Sequence, residues 1–321
     1  MRTRNWTGLA VAACVIALIG TSFYISRLTT DHPLPIYLAE CRYAEIESPA
    51  IRTAIGNAIA AIHLDGVCAT AYDVRGDFYF RQYEWKEAAR QYGYGLQISP
   101  DDLNLRNDHG MTSIASNAFR DAKDDYTVML RFDPRDTEAW MRRGNAKEVL
   151  GDWQGAIADY DQGLRIDPGN TEALGYRGRA FTLLGRYPEA IADLTRATDS
   201  DPDNLSTVLW LYLAQRKNGK DGGAWLRKHT QSLDLKPWPG SAIQYFLGNF
   251  SMDTLQSIVD ADPHMDVMRQ KCDAWFYLGE DALIRGDKDK ARQLLMRTIS
   301  GCDGVDYEWD AAQLELKRLG R

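Results

Sequence analysis

The chain has 321 residues, 45% of them apolar and 26% charged, so it can bury a core and is not a disordered polymer. Lys and Arg number 38 against 45 Asp and Glu, a net charge of -7. Residues 1–30 hold three Arg and no acid, which leaves -10 on the remainder and excludes a general nucleic-acid ligand, whose phosphates need basic patches.

The first element is 1–26. Met1-Arg2-Thr3-Arg4-Asn5 precedes an uncharged apolar run from Trp6 to Ile25. Those 20 residues span roughly 30 Å as a helix, the thickness of a bilayer core. Arg2 and Arg4 hold the short tail in the cytoplasm and direct the bulk outward. The length and the lack of a small-x-small cleavage site favour an uncleaved transmembrane signal anchor. Val11-Ala12-Ala13-Cys14 also fits a lipoprotein-type signal that lipidates Cys14, and a cleaved secretory signal is the third reading. Residues 27–68 read as a linker, Arg27 to Ile36, followed by N-terminal helices including 50–63.

A constant repeat period governs 69–204. Pro100, Pro134, Pro168 and Pro202 share one register, as do Gly76, Gly110, Gly144 and Gly178. Ala88, Ala122, Ala156 and Ala190 form a third column, and Tyr92, Tyr126, Tyr160 and Leu194 a fourth. The Gly and Ala positions let two helices approach closely. The large side chain is expected to fill the gap between neighbouring repeats. Pro ends the second helix, and Gly151-Asp152 and Gly185-Arg186 turn the chain between helices. These columns resemble tetratricopeptide repeats, which implies an all-α solenoid of helix-turn-helix hairpins.

Residues 205–271 read as a degenerate helical region broken at Pro237-Trp238-Pro239-Gly240. The Gly-rich stretch 218–223 reads as an inter-helix turn. A fifth repeat is expected at 272–305, with Gly279, Ala291 and Leu295 at the repeat positions, and a C-terminal capping helix at 306–321.

A narrower resemblance covers 171–321. It rests on Trp-Leu-Tyr-Leu-Ala (210–214), Tyr-Phe-Leu-Gly-Asn-Phe-Ser (245–251), Phe-Tyr-Leu-Gly (276–279) and Arg-Gly-Asp (285–287). These segments resemble the NlpI-type tetratricopeptide lipoproteins of Gram-negative bacteria. That resemblance implies a dimeric outer-membrane adaptor that brings peptidoglycan hydrolases to a periplasmic protease. It places the chain in the bacterial envelope, with the bulk in the periplasm.

Export would put Cys41, Cys68, Cys272 and Cys302 in an oxidising space. Cys272 opens one helix and Cys302 follows its antiparallel partner, so a 272–302 disulfide is expected. Cys41 and Cys68 flank 50–63 in a similar layout and are the second expected pair. Buried free thiols are the alternative.

No metal site is expected, since Cys-x-x-Cys and His-Glu-x-x-His spacings are absent from the sequence. Neither Gly-x-Ser-x-Gly nor a phosphate-binding loop occurs, and no catalytic residue or cofactor is expected. His109 reads as a structural histidine.

In such solenoids, first-helix positions 2, 5, 9, 12 and 13 line the concave side. They place Asp73, Asp77 and Arg81 in a partner-binding groove with Asn104, Asn107 and Met111. Met141, Asn145, Glu148 and Arg179 follow from the next two repeats. The mix suits a peptide or helix from a protein partner. The position-5 Lys of a two-carboxylate clamp is missing from all four repeats. The alternative function is a structural subunit of an envelope assembly, held through 205–271 with Trp210, Trp225 and Trp238 at its contacts.

Overall fold

The computed structural model describes residues 69–261, 267–302 and 307–320. The expected N-terminal anchor, the linker, Cys14 and the Cys41–Cys68 pair lie outside the described residues. Among the described residues, no helix is long and apolar enough to cross a membrane.

Fifteen helices and no strand are found among the described residues. They fall into two compact units, one ending at Pro100 and one starting at Asp101. The first unit holds α1 (Ala69–Arg81) and α2 (Trp85–Ile98). The second opens with three successive antiparallel pairs. These begin with α3 (Leu103–Ala115) and α4 (Phe119–Phe132), then α5 (Thr137–Val149) and α6 (Trp153–Ile166). Next comes α7 (Thr171–Leu183) with α8 (Tyr187–Ser200). Helix α9 (Leu205–Lys217) leads to the short α10 (Gly223–His229) and α11 (Gly240–Phe246), then to α12 (Met252–Ala261). Helices α13 (Val267–Arg285), α14 (Lys288–Gly301) and α15 (Tyr307–Arg318) complete the chain.

Each hairpin is specified by residues inside a single repeat. Asp102, Asp136, Asn170 and Asn204 cap α3, α5, α7 and α9, each accepting a bond from a backbone N–H of the first turn. The second helices end just before each repeat proline. A Cβ at Gly144 would lie 2.6 Å from the Tyr160 ring, and one at Gly178 would lie 2.5 Å from Leu194. The large side chain therefore fills its own hairpin, against the glycine of the same repeat. It also meets the next repeat as expected, the Tyr160 ring lying 5.9 Å from that of Tyr176.

The repeat phase continues into the region expected to be degenerate. Asn204 caps α9, and Gly219 turns it with a positive φ of 78°, as Gly185 does one repeat earlier. Helix α13 is longer than the expected fifth-repeat helix, starting at Val267. The Cys272–Cys302 disulfide ties α13 to the end of α14, with Cα atoms 6.0 Å apart. One large core joins α6 through α15, and it includes Trp153, Leu183, Leu209, Phe276, Leu295 and Leu316.

Candidate partner-binding groove

The structure sorts the sequence-derived groove residues into three groups. In the first unit Asp77 accepts a 2.8 Å bond from the Tyr92 hydroxyl, Asp73 is half-buried and Arg81 is exposed. In the second unit Asn104 is exposed, and Asn107, Met111 and Asn145 are half-buried along α3 and α5. Met141 and Glu148 are different: they are 3% and 0% exposed and belong to the interior.

Glu148 is the centre of a buried network rather than a ligand contact. Its carboxylate accepts 2.7 Å and 3.0 Å bonds from the Arg179 guanidinium and a 2.8 Å bond from the Tyr160 hydroxyl. Burial, then the adjacent Glu148 charge, pushes the Tyr160 phenol well above its usual range, so it stays a neutral donor. Arg179 also sits 5.0 Å above the Tyr176 ring. Arg179 thus binds α7 to α5, and its guanidinium is already committed within the chain.

Beyond these residues, the chain covers part of its own first-helix side. Helix α15 packs on α5, and Arg318 donates a 2.7 Å bond to the Leu183 carbonyl at the end of α7. Lys217 of α9 forms ion pairs with Glu280 of α13 and, at 2.8 Å, with Glu315 of α15. Burial alone would lower the Lys217 ammonium, but the two carboxylates outweigh it and hold its pKa above the ordinary lysine value. Burial raises Glu280, and Lys217 opposes that rise. The capping helix expected at the C-terminus is therefore also a plug. Among the described residues of this unit, Asn104, Asn107, Met111 and Asn145 stay exposed or half-buried on α3 and α5, and α5 itself also meets α15.

A further set of contacts was missed in the sequence reading. Arg143 clasps Asp159 with bonds of 2.8 Å and 2.7 Å, and Arg177 clasps Asp193 with bonds of 2.6 Å and 2.8 Å. One repeat earlier, His109 meets Asp125 at 2.5 Å. Arg143 also reaches back to Thr127, and Arg177 back to Asp161 at 2.7 Å, in the preceding repeat. The sequence signal was present as a basic column on the first helices followed, one helix later, by an acidic one. His109 is structural, as its position suggested. Asp125 is buried and also accepts a 2.9 Å bond from Arg106.

Residues 108–171 and 149–204 match the tetratricopeptide repeat family. Residues 108–204 thus carry tetratricopeptide repeats. A tetratricopeptide repeat protein from Parabacteroides merdae superposes with a TM-score of 0.53 at 14% identity, over 77% of this chain and 98% of that one. MamA superposes at 0.46 and 17% identity, over 57% of this chain and 95% of MamA. YrrB, described as a tetratricopeptide-repeat protein with an unusual peptide-binding site, superposes at 0.49 and 19% identity, over 58% and 95% of the two chains. The likeness to the first of these shows the repeat fold; it does not distinguish the NlpI-type family.

Proposed function

We propose that this chain is a non-enzymatic scaffold of the bacterial envelope, tethered by its N-terminus, that captures protein segments on the α3–α5 side. The observation that carries the reading is the division of the first-helix side. Helix α15 reaches α5 and the end of α7, while Asn104, Asn107, Met111 and Asn145 stay exposed or half-buried and form a strip of amides and a thioether. Amide side chains can pair with the backbone of a docked peptide, and a methionine adapts to varied apolar groups. The apolar run from Trp6 to Ile25 and the Cys272–Cys302 disulfide support an exported, membrane-held chain. The partners proposed are peptidoglycan hydrolases and a protease, brought together by one scaffold that acts as a homodimer. This last step leans on the NlpI-type resemblance.

The test is capture from the organism's own membranes in mild detergent, with mass spectrometry of the co-purifying proteins and of the N-terminus. Asn107→Ala with Asn145→Ala should lower recovery of wall hydrolases about tenfold at unchanged helicity. Equal recovery by the variant would remove the α3–α5 side from the reading. A lipidated Cys14 would assign a lipoprotein, and an intact Met1 a signal anchor.

The structural-subunit alternative loses one of its expected contacts, because Trp210 is 3% exposed and packs on Phe276 and Tyr277. Trp225 and Trp238 are only partly buried.

A further inference from the structure

Every described first-to-second-helix turn of the repeats places one residue in the left-handed region. Gly151, Gly185, Gly219 and Gly286 fill that slot with φ between 76° and 81°, and Asn117 fills it at 67°. In the first hairpin the slot holds Tyr83, with φ of 62°. Glycine enters this region freely and asparagine tolerates it, whereas a Cβ carrying a bulky ring is disfavoured there.

Burial does not compensate the strain, because Tyr83 is 77% exposed. Its ring meets Trp85 edge-on, with centroids 5.4 Å apart at 90°. Phe80, 36% exposed, meets the same Trp85 at 4.9 Å and 71°. Three aromatic side chains therefore cluster at the turn, two of them open to solvent. A strained backbone that presents an exposed ring points to a contact outside the hairpin.

We propose that the α1–α2 turn is a bilayer-docking tip, with Phe80, Tyr83 and Trp85 seated at the lipid–water interface. The proposal rests on the reading of Trp6–Ile25 as a bilayer segment. Tyrosine and tryptophan suit that zone because each has an apolar body and a polar edge. The charges around the rings fit as well. Exposed Arg81 and Lys86 outnumber exposed Glu84, and Glu87 is already paired with Arg90. The tip is thus slightly basic on an acidic chain, the polarity that an anionic leaflet attracts. Position along the chain favours a bilayer over a peptide as the occupant. Residues 26–79 alone separate the apolar run from this aromatic cluster along the chain.

The test uses the full chain in vesicles of phosphatidylcholine and phosphatidylglycerol, with or without brominated acyl chains. Trp6 is first replaced by Phe, so that the apolar run contributes no signal. Brominated lipid should still quench part of the tryptophan emission. Trp85→Phe should abolish that part, and Tyr83→Gly should weaken it while leaving the hairpin folded. A chain that floats with the vesicles but shows no quenching, or quenching indifferent to Trp85→Phe, overturns the tip and leaves the anchor intact. A chain that does not float with vesicles overturns both readings. Shielding of Trp85 from acrylamide by a co-purified soluble protein, without bromolipid quenching, assigns the surface to that protein instead.

Discussion

Tyr83 is where local backbone preference and side-chain identity disagree. Replacing it by glycine should raise stability by about 1 kcal/mol, read as a higher midpoint in urea, since the left-handed slot then costs nothing. A lower midpoint would mean that the aromatic contacts of Tyr83 outweigh the strain. Asp310 of α15 behaves differently. Burial raises its carboxyl from 3.8 to about 6. Below about pH 4 the folded and unfolded chains both hold this proton, so the group costs nothing. As pH rises through 6 the folded chain must ionise a partly desolvated carboxyl, and its stability falls relative to acid. Asp310→Asn should therefore raise the melting temperature at pH 7.5 and leave it unchanged at pH 3.5. An equal shift at both values would place the effect in packing rather than in charge.

Pairs of helices form for reasons that lie within one repeat, which is why the hairpins were legible from the columns. The glycine, the large side chain that meets it from the second helix, the cap and the proline all act locally. The Arg–Asp clasps lie within single repeats, with Arg143–Thr127 and Arg177–Asp161 reaching across to the preceding one, and they were overlooked because their residues look like ordinary solvated charges. Asp159 is buried between Arg143 and Lys147, with ion-pair distances of 2.7 Å and 2.8 Å. Asp159→Ala should cost about 3 kcal/mol by urea denaturation, because it leaves two cations sheltered without their partner. Arg143→Ala added to it should cost less than the sum of the two single changes. Strict additivity would show that the pair acts as surface decoration.

At the scale of the second unit, the decisive structure is the junction of α9, α13 and α15. Lys217→Met should destabilise by about 3–5 kcal/mol, since buried Glu280 would lose its ion-pair partner and face Glu315, which keeps only Arg318. Adding Glu280→Gln and Glu315→Gln should recover much of the loss, measured by thermal unfolding. Because its pKa is raised, Lys217 stays charged through neutral pH, and the junction should loosen only in strong alkali. The Cys272–Cys302 bridge closes a loop with a sequence separation of 30. Its reduction, or Cys272→Ser, should lower stability by about 3 kcal/mol, with the unfolding midpoint in oxidant and reductant as the readout. No difference between the two conditions would mean that the thiols are not bridged in solution.

The sequence by itself determined the repeat period, the hairpin as the unit, the caps and turns, and the 272–302 pairing. Each of these follows from residues close in the chain or repeated at a constant step, so composition and spacing carry them. It also marked Asn104, Asn107, Met111 and Asn145, which the structure leaves at or near the surface. Only the tertiary structure decided that Met141 and Glu148 are interior and that Arg179 is spent on Glu148. It alone decided that α15 closes part of the first-helix side. The contacts responsible join Lys217 to Glu315, 98 residues apart, and Arg318 to Leu183, 135 residues apart. A pairing at such separation leaves no periodic trace. A charge that will be buried against a distant helix is written with the same letters as one that faces water.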